Sequence, residues 1–329
     1  MTHLKHSLLL ALALAGTAAA EVSYEFVPDF IKPPPGQENL GNSHGEISCD
    51  SAGNFYVSVT DNKAGGLLVY GPDGAFKKVL PVPASLHGFV VRKDDGKEFI
   101  FAAVLNENRF IKCDLDGNVV LEIPKTAFPA DKGALKLTNC DVAGNGDIYI
   151  VDGYGKSWVF VFDRAGKFKK VFGGPEQPWG FRNTHKIFID TRFSPQRIVA
   201  LDRGNNRVLH LDLDGNIIGT IASSPPHNAK SPTPPAPQSV RNPSSASFHG
   251  DLMCIAEIAG RVSVWDKDNK LVAELGVNPK FTNTPGIEPA SWQQGTVTSP
   301  HGITFDNAGN ILECEWNKWG RVLRWNVKK

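Results

Sequence analysis

One phrase recurs six times along this chain, and it constrains the fold more than any other feature. An anchor residue leads into an apolar strand, a D-x-x-G-N type turn, a second strand, a variable turn, and a third strand closing in D-x-D-G or D-x-x-G. The first copy opens at His44-Gly45-Glu46-Ile47, turns at Asp50-Ser51-Ala52-Gly53-Asn54, and continues through Phe55 to Val59 and Leu67 to Tyr70. The second runs from His87-Gly88 to Asp114-Leu115-Asp116-Gly117-Asn118, and the third from Asn139-Cys140-Asp141 to Asp163-Arg164-Ala165-Gly166. The fourth runs from Thr184-His185-Lys186 to Asp212-Leu213-Asp214-Gly215-Asn216. The fifth is less regular, opening at Pro243-Ser244-Ser245-Ala246, turning at His249-Gly250-Asp251 and reaching Arg261 to Trp265. The sixth opens at Pro300-His301-Gly302-Ile303 and reaches Arg321 to Trp325.

A period of about 50 residues, built from strands and Gly/Asp/Asn turns, predicts an all-β six-bladed β-propeller with one four-stranded blade per repeat. The last copy stops after its third strand. The N-terminal segment Val22 to Phe26 is therefore expected to supply the missing outer strand, closing the ring and removing a sheet edge. A length of 329 residues would allow two domains, but the repeat makes residues 21–329 one. The 32 Gly and 23 Pro suit so many turns. With 35 Lys+Arg against 34 Asp+Glu, one of the lysines (Lys5) in the leader described next, the chain has no field to steer nucleic acid.

Residues 1–20 have the form of a secretory signal peptide: a basic start with Lys5, an apolar core from Leu8 to Ala15, and the small residues Ala18-Ala19-Ala20 before Glu21. The core is too short for a membrane anchor. A secreted or periplasmic protein, monomeric and without a membrane partner, is expected. The five cysteines (Cys49, Cys113, Cys140, Cys254, Cys314) lack CxxC spacing, and their odd number leaves at least one outside any intrachain pair. Buried thiols acting as small hydrophobes are the simpler expectation. Two inserts, Ser223 to Pro243 and Val277 to Ser299, each join an outer strand to the next inner one, so both fall on the face where the anchors sit.

The first strand of each blade lines the axial channel, so the anchors converge there. They read His44, His87, Asn139, His185, Ser244 and His301, gathering four of the nine histidines. His87, His185 and His301 fall on blades two, four and six, giving trigonal placement. Three neutral imidazoles with a fourth position open make a catalytic zinc site, and other divalent transition metals accept the same donors. The simpler alternative is a narrow wet channel whose polar residues bond to one another. His44, on an odd blade, is a partner behind the ligands, a further ligand or channel filler.

Asp202-Arg203-Gly204-Asn205-Asn206-Arg207-Val208 and Gly260-Arg261-Val262 resemble the NHL repeat. With the order His87, Tyr154, His185, Arg203, His301, the chain resembles the peptidylglycine amidating lyases, six-bladed propellers of this kind. The resemblance implies zinc on His87, His185 and His301, with Tyr154 in Asp152-Gly153-Tyr154-Gly155 and Arg203 in Asp202-Arg203-Gly204 as catalytic residues. It implies cleavage of a peptide or small-molecule α-hydroxyglycine adduct in the central channel, giving an amide and glyoxylate. A tyrosine beside Arg203 and a metal is expected to ionise below its usual pKa of about 10. Three family features have no counterpart: Val57-Ser58-Val59-Thr60-Asp61 lacks the substrate arginine, Gly302 replaces a calcium ligand after His301, and Gly155 replaces a cysteine. Two other functions compete. One is a non-catalytic propeller binding a protein or glycan; the other is a lactonase-like hydrolase, whose calcium cage of Glu, Asn and Asp is matched here only by Asn139.

Overall fold

The computed structural model describes residues 22–60, 66–225, 238–280 and 285–328. The leader and most of the Pro-rich insert lie outside the described residues. Six four-stranded antiparallel sheets form the ring. β1 (Tyr24–Val27) belongs to the last blade, and blade one is β2 (Ile47–Cys49), β3 (Phe55–Ser58), β4 (Leu67–Tyr70) and β5 (Phe76–Leu80). Blade two is β6 (Leu86–Asp94), β7 (Lys97–Val104), β8 (Arg109–Cys113) and β9 (Val119–Ile123). Blade three is β10 (Asn139–Val142), β11 (Ile148–Val151), β12 (Trp158–Phe162) and β13 (Phe168–Gly173). Blade four is β14 (Thr184–Asp190), β15 (Arg197–Asp202), β16 (Arg207–Leu211) and β17 (Ile217–Ser223). Blade five is β18 (Pro243–His249), β19 (Leu252–Glu257), β20 (Arg261–Trp265) and β21 (Leu271–Leu275). Blade six is β22 (Pro300–Phe305), β23 (Ile311–Glu315) and β24 (Val322–Val327), completed by β1, which pairs with β24 from Tyr24 opposite Val327 to Val27 opposite Arg324.

The recurring D-x-x-G-N phrase has a physical cause. At Asp114 the carboxylate accepts the backbone N–H and side-chain amide of Asn118, each at 2.8 Å, while Gly117 takes a φ of 91°. The same device closes the turns at Asp50, Asp212 and Asp306. An Asx-type bond plus a left-handed glycine fixes each reversal locally. Between turns the strands are apolar on both faces because blades stack: Leu67 and Val69 of blade one pack with Phe89, Ile100 and Ile111 of blade two. Cys254 and Val262 of blade five likewise meet Ile303 and Leu323 of blade six. Each such side chain removed from water contributes roughly 1.5–3 kcal/mol. All five cysteines are free thiols, four of them buried within these layers. Among the described residues no helix is long and apolar enough to cross a membrane.

Candidate metal centre and its catalytic neighbours

Strand register sorts the channel residues into rings. Gly88, Lys186, Ser245 and Gly302 sit opposite equivalent residues of their second strands, and in each case the residue before is bulged out of the ladder. The bulged residues are His87, His185, Ser244 and His301. Blades one and three pair without a bulge, which places Gly45 and Thr138 in this ring and Glu46 and Asn139 one step deeper. The anchors expected at His44 and Asn139 are thus displaced by one residue, in opposite directions. A bulge is a local backbone event with no mark in the residue pattern.

The upper ring has a threefold logic. His87 Nδ1–H donates to the Thr138 carbonyl (2.8 Å), His185 Nδ1–H to Ser244 (2.8 Å) and His301 Nδ1–H to Gly45 (2.7 Å). Even blades supply imidazoles, and the next odd blade supplies the carbonyl. A carbonyl only accepts, so each Nδ1 carries the proton and each Nε2 keeps a lone pair facing the axis. Near the opposite face the seams alternate: Ser48 accepts Val91 N–H, Asp141 accepts Ile189 N–H and Ser247 accepts Phe305 N–H, joining blades one to two, three to four and five to six.

Burial, reinforced by neighbouring cations and imidazoles, holds His87, His185 and His301 well below the ordinary imidazole value. His44 joins them, its pKa lowered to about 4 by burial first and then by Arg203 and Lys186. All four are neutral at pH 7. Ring centroids of His87, His185 and His301 lie 4.8–5.0 Å apart, and His44 sits 5.0 Å from His87 and 4.8 Å from His301. The structure therefore brings the three expected imidazole rings together, although the ligand-atom group found among the described residues takes His44 in place of His185. The ligand atoms of His44, His87 and His301 all fall within 4.8 Å of one another.

Tyr154 reaches this cluster from the β11–β12 loop. Its Oη lies 3.0 Å from His87 Nε2, 3.1 Å from His185 Nε2 and 3.2 Å from His44 Nε2. Asp152 builds the loop, its carboxylate accepting the N–H groups of Lys136 and Lys156. Gly153 is required because a Cβ there would lie 2.4 Å from Thr138 Oγ1 and 2.5 Å from the Thr184 carbonyl. Gly155 is required because a Cβ would strike the Asp152 carboxylate at 2.1 Å. Arg203 sits in a short 3-10 turn that Asn206 ends in the left-handed conformation, with its guanidinium carbon 5.5 Å from the Tyr154 ring centroid. Asp202 does not hold Arg203; it takes Arg207 at 2.6 Å and Asn205 at 2.7 Å. Burial raises the Tyr154 phenol above its ordinary value, and Arg203 only partly opposes it. The lowered phenol expected from the sequence counted on Arg203 and a metal together; with Arg203 alone, burial prevails.

Beneath the imidazoles runs a polar layer that the sequence reading did not single out. Lys186 Nζ donates to Glu46 Oε2 at 2.8 Å, with the Gly45 and His301 carbonyls at 3.3 and 3.4 Å. Ser245 Oγ–H donates to the same Glu46 oxygen at 2.6 Å, and both residues of the ion pair are buried. Both atoms of the Asn139 amide, buried at the same level, have no hydrogen-bond partner among the described residues. Below this layer a cavity of about 270 Å³ opens to the far face, lined by Glu46, Ser48, Phe89, Phe188, Ser247 and Phe305 among others. The available signal was a charged Lys186 at the position that Gly88 and Gly302 hold in sister blades.

An ion fits the upper cluster on its donor chemistry. Among the described residues the buried His301 Nε2 has no hydrogen-bond partner, and the lone pairs of His87 and His185 share one phenolic hydrogen. A buried acceptor left without a donor costs about 1–3 kcal/mol, which a cation removes.

A family model, DUF5128, described as a 6-bladed beta-propeller, matches residues 136–224. A solved streptogramin B lyase has TM-score 0.55 at 15% identity, over 93% of this chain and 98% of that one. A structural genomics protein of unknown function from Bacteroides thetaiotaomicron has TM-score 0.62 at 13% identity, over 88% and 72%. A gluconolactonase from Xanthomonas campestris has TM-score 0.59 at 13% identity, over 88% and 89%. These likenesses show the propeller fold.

Proposed function

We propose that this chain is a metal-dependent carbon–nitrogen lyase acting on a hydroxylated small-molecule or peptide substrate at the upper mouth of the channel. The observation that carries this reading is a surplus of lone pairs over hydrogens: Nε2 of His87, His185 and His301 converge with one phenolic hydrogen among them. Bound there, a divalent transition metal, zinc in the first instance, would supply Lewis acidity toward a substrate oxygen. Tyr154 Oη takes the proton of the substrate hydroxyl, the carbon–oxygen bond becomes a carbonyl, and the carbon–nitrogen bond breaks with its electron pair going to nitrogen, which is then protonated. Arg203, against the Tyr154 ring, stabilises the negative charge the phenol carries before that step. For an α-hydroxyglycine adduct the products are an amide and glyoxylate. The order His, Tyr, His, Arg, His supports this, as does a lyase among the similar structures. Calcium is not invoked, because Gly302 stands where the resembling family has a calcium ligand. The signal-peptide form of residues 1–20 supports a secreted or periplasmic setting for this activity.

A second reading, a lactonase-like hydrolase, is favoured by the gluconolactonase neighbour and by the unpartnered Asn139 amide on the axis. Against it, the nearby Glu46 carboxylate is committed to Lys186. The test is to assay the metal-loaded protein for glyoxylate release from an N-acyl-α-hydroxyglycine and for opening of gluconolactone. Glyoxylate release that falls by about 100- to 10,000-fold in Tyr154→Phe, with metal content unchanged, is the expected result. Lactone opening without glyoxylate release would replace the lyase reading with the second.

A further inference from the structure

His44 does not obey the threefold pattern of the channel, and its environment says why it is there. In strand register it precedes the upper ring by one residue, a position filled in the other odd blades by the apolar Leu137 and Pro243. Blade one therefore carries an imidazole that the repeat does not call for. Among the described residues no backbone carbonyl clamps it as Thr138, Ser244 and Gly45 clamp the other three. Instead its ring stacks on Trp316, with centroids 5.1 Å apart and planes 29° apart, and meets His87 edge-on at 89°.

That brace is itself anchored. The Trp316 backbone N–H donates to the Ser299 carbonyl at 2.8 Å, and Ser43 and Asn317 exchange two backbone hydrogen bonds at 2.9 and 3.0 Å. Segment 285–292 supports the same loop, the Asn317 amide donating to the Ile287 carbonyl at 3.0 Å and the Lys318 N–H to Pro285 at 2.9 Å. Blade six thus fixes the residue before His44 and the indole beneath it. The result is a side chain held with its ligand atom within 4.8 Å of those of His87 and His301, and with Nε2 3.2 Å from Tyr154 Oη.

We propose that His44 is a fourth protein ligand of the metal, joining His87, His185 and His301 in a four-imidazole centre. This rests on the reading that the upper cluster holds a metal. A four-nitrogen donor set suits copper(II) and nickel(II) as well as zinc, and it leaves fewer positions for substrate than three imidazoles do.

The test loads the wild type, His44→Ala and His185→Ala with copper(II) and counts coordinated nitrogens by electron paramagnetic resonance. Affinity for zinc is measured in parallel by chelator competition, after thermal melting of the metal-free variants confirms that they fold. The expected result is one nitrogen fewer in each variant, return of the lost signal in His44→Ala on adding free imidazole, and zinc affinity weakened more than about 100-fold. Loss of a group that only orients a ligand costs about 10- to 100-fold and leaves the nitrogen count intact. An unchanged count in His44→Ala, with one lost in His185→Ala, overturns the fourth ligand and leaves the metal reading standing. A wild type that binds neither copper nor zinc overturns both.

Discussion

Replacing Lys186 by Met tests whether the buried layer under the imidazoles holds the axis together. Glu46 accepts four hydrogen bonds: Ile47 N–H at 3.0 Å and Ile303 N–H at 2.8 Å on Oε1, Ser245 Oγ–H at 2.6 Å and Lys186 Nζ at 2.8 Å on Oε2. Lys186→Met keeps the apolar stem but removes the charge that faces that carboxylate in an ion pair whose members are 0% and 1% exposed. Breaking a buried pair from one side costs about 3–5 kcal/mol, because the remaining charge stays buried. The unfolding entropy of about 2.1 cal/mol/K per residue gives roughly 0.6 kcal/mol/K for a chain of this size, so Tm should fall by roughly 5–8 °C. The double variant Lys186→Met/Glu46→Gln should recover most of the loss, since a neutral amide can keep the two backbone donors and bond to Ser245. Both are read by calorimetric or circular-dichroism melting in chelator, so that bound metal does not shift the midpoint. A single variant melting within about 1 °C of wild type, or a double variant less stable than the single, would refute the reasoning.

Asp190, buried on β14, feels burial pushing its pKa up, but Arg192 and His210 hydrogen bonds win and pull it down to about 2. A depressed carboxyl contributes stability that is present above its unfolded value of about 3.9 and lost as pH falls toward about 2. Asp190→Asn should therefore cost about 2–3 kcal/mol at pH 7 and flatten the loss of stability between pH 4 and pH 2, as denaturant titration across that range will report. Gly153→Ala should push the Tyr154 loop off Thr138 and Thr184, costing about 1–3 kcal/mol and lowering turnover by about 100-fold with metal retained; unchanged turnover would show that the loop tolerates the methyl group.

The fold was legible because its signals are local. Each D-x-x-G-N turn is closed by its own carboxylate and glycine, and the missing outer strand of blade six follows from counting strands, with Tyr24–Val27 found where Val22 to Phe26 was expected. His87, His185 and His301 were legible because they stand at one repeated position. The positions of His44 and Asn139 were each misplaced by one residue, because the bulges that set the ring leave no trace in the apolar pattern. The ion pair between Lys186 and Glu46 was hidden because it joins residues 140 apart, from blades one and four, and nothing in either local segment names the other. Arg203 and Arg207 look equivalent beside Asp202 in the sequence. Only the 3-10 turn after β15 sends Arg203 to Tyr154 and Arg207 to the aspartate.

The central claim is that the three carbonyl-clamped imidazoles hold a metal. Elemental analysis of residues 21–329, produced by export and purified without a nickel column, tests it most directly. One tightly held divalent transition metal per chain, lost in His301→Ala, is the expected result. A protein that emerges empty and takes up no added zinc would contradict it and leave the histidines as filling of a wet channel.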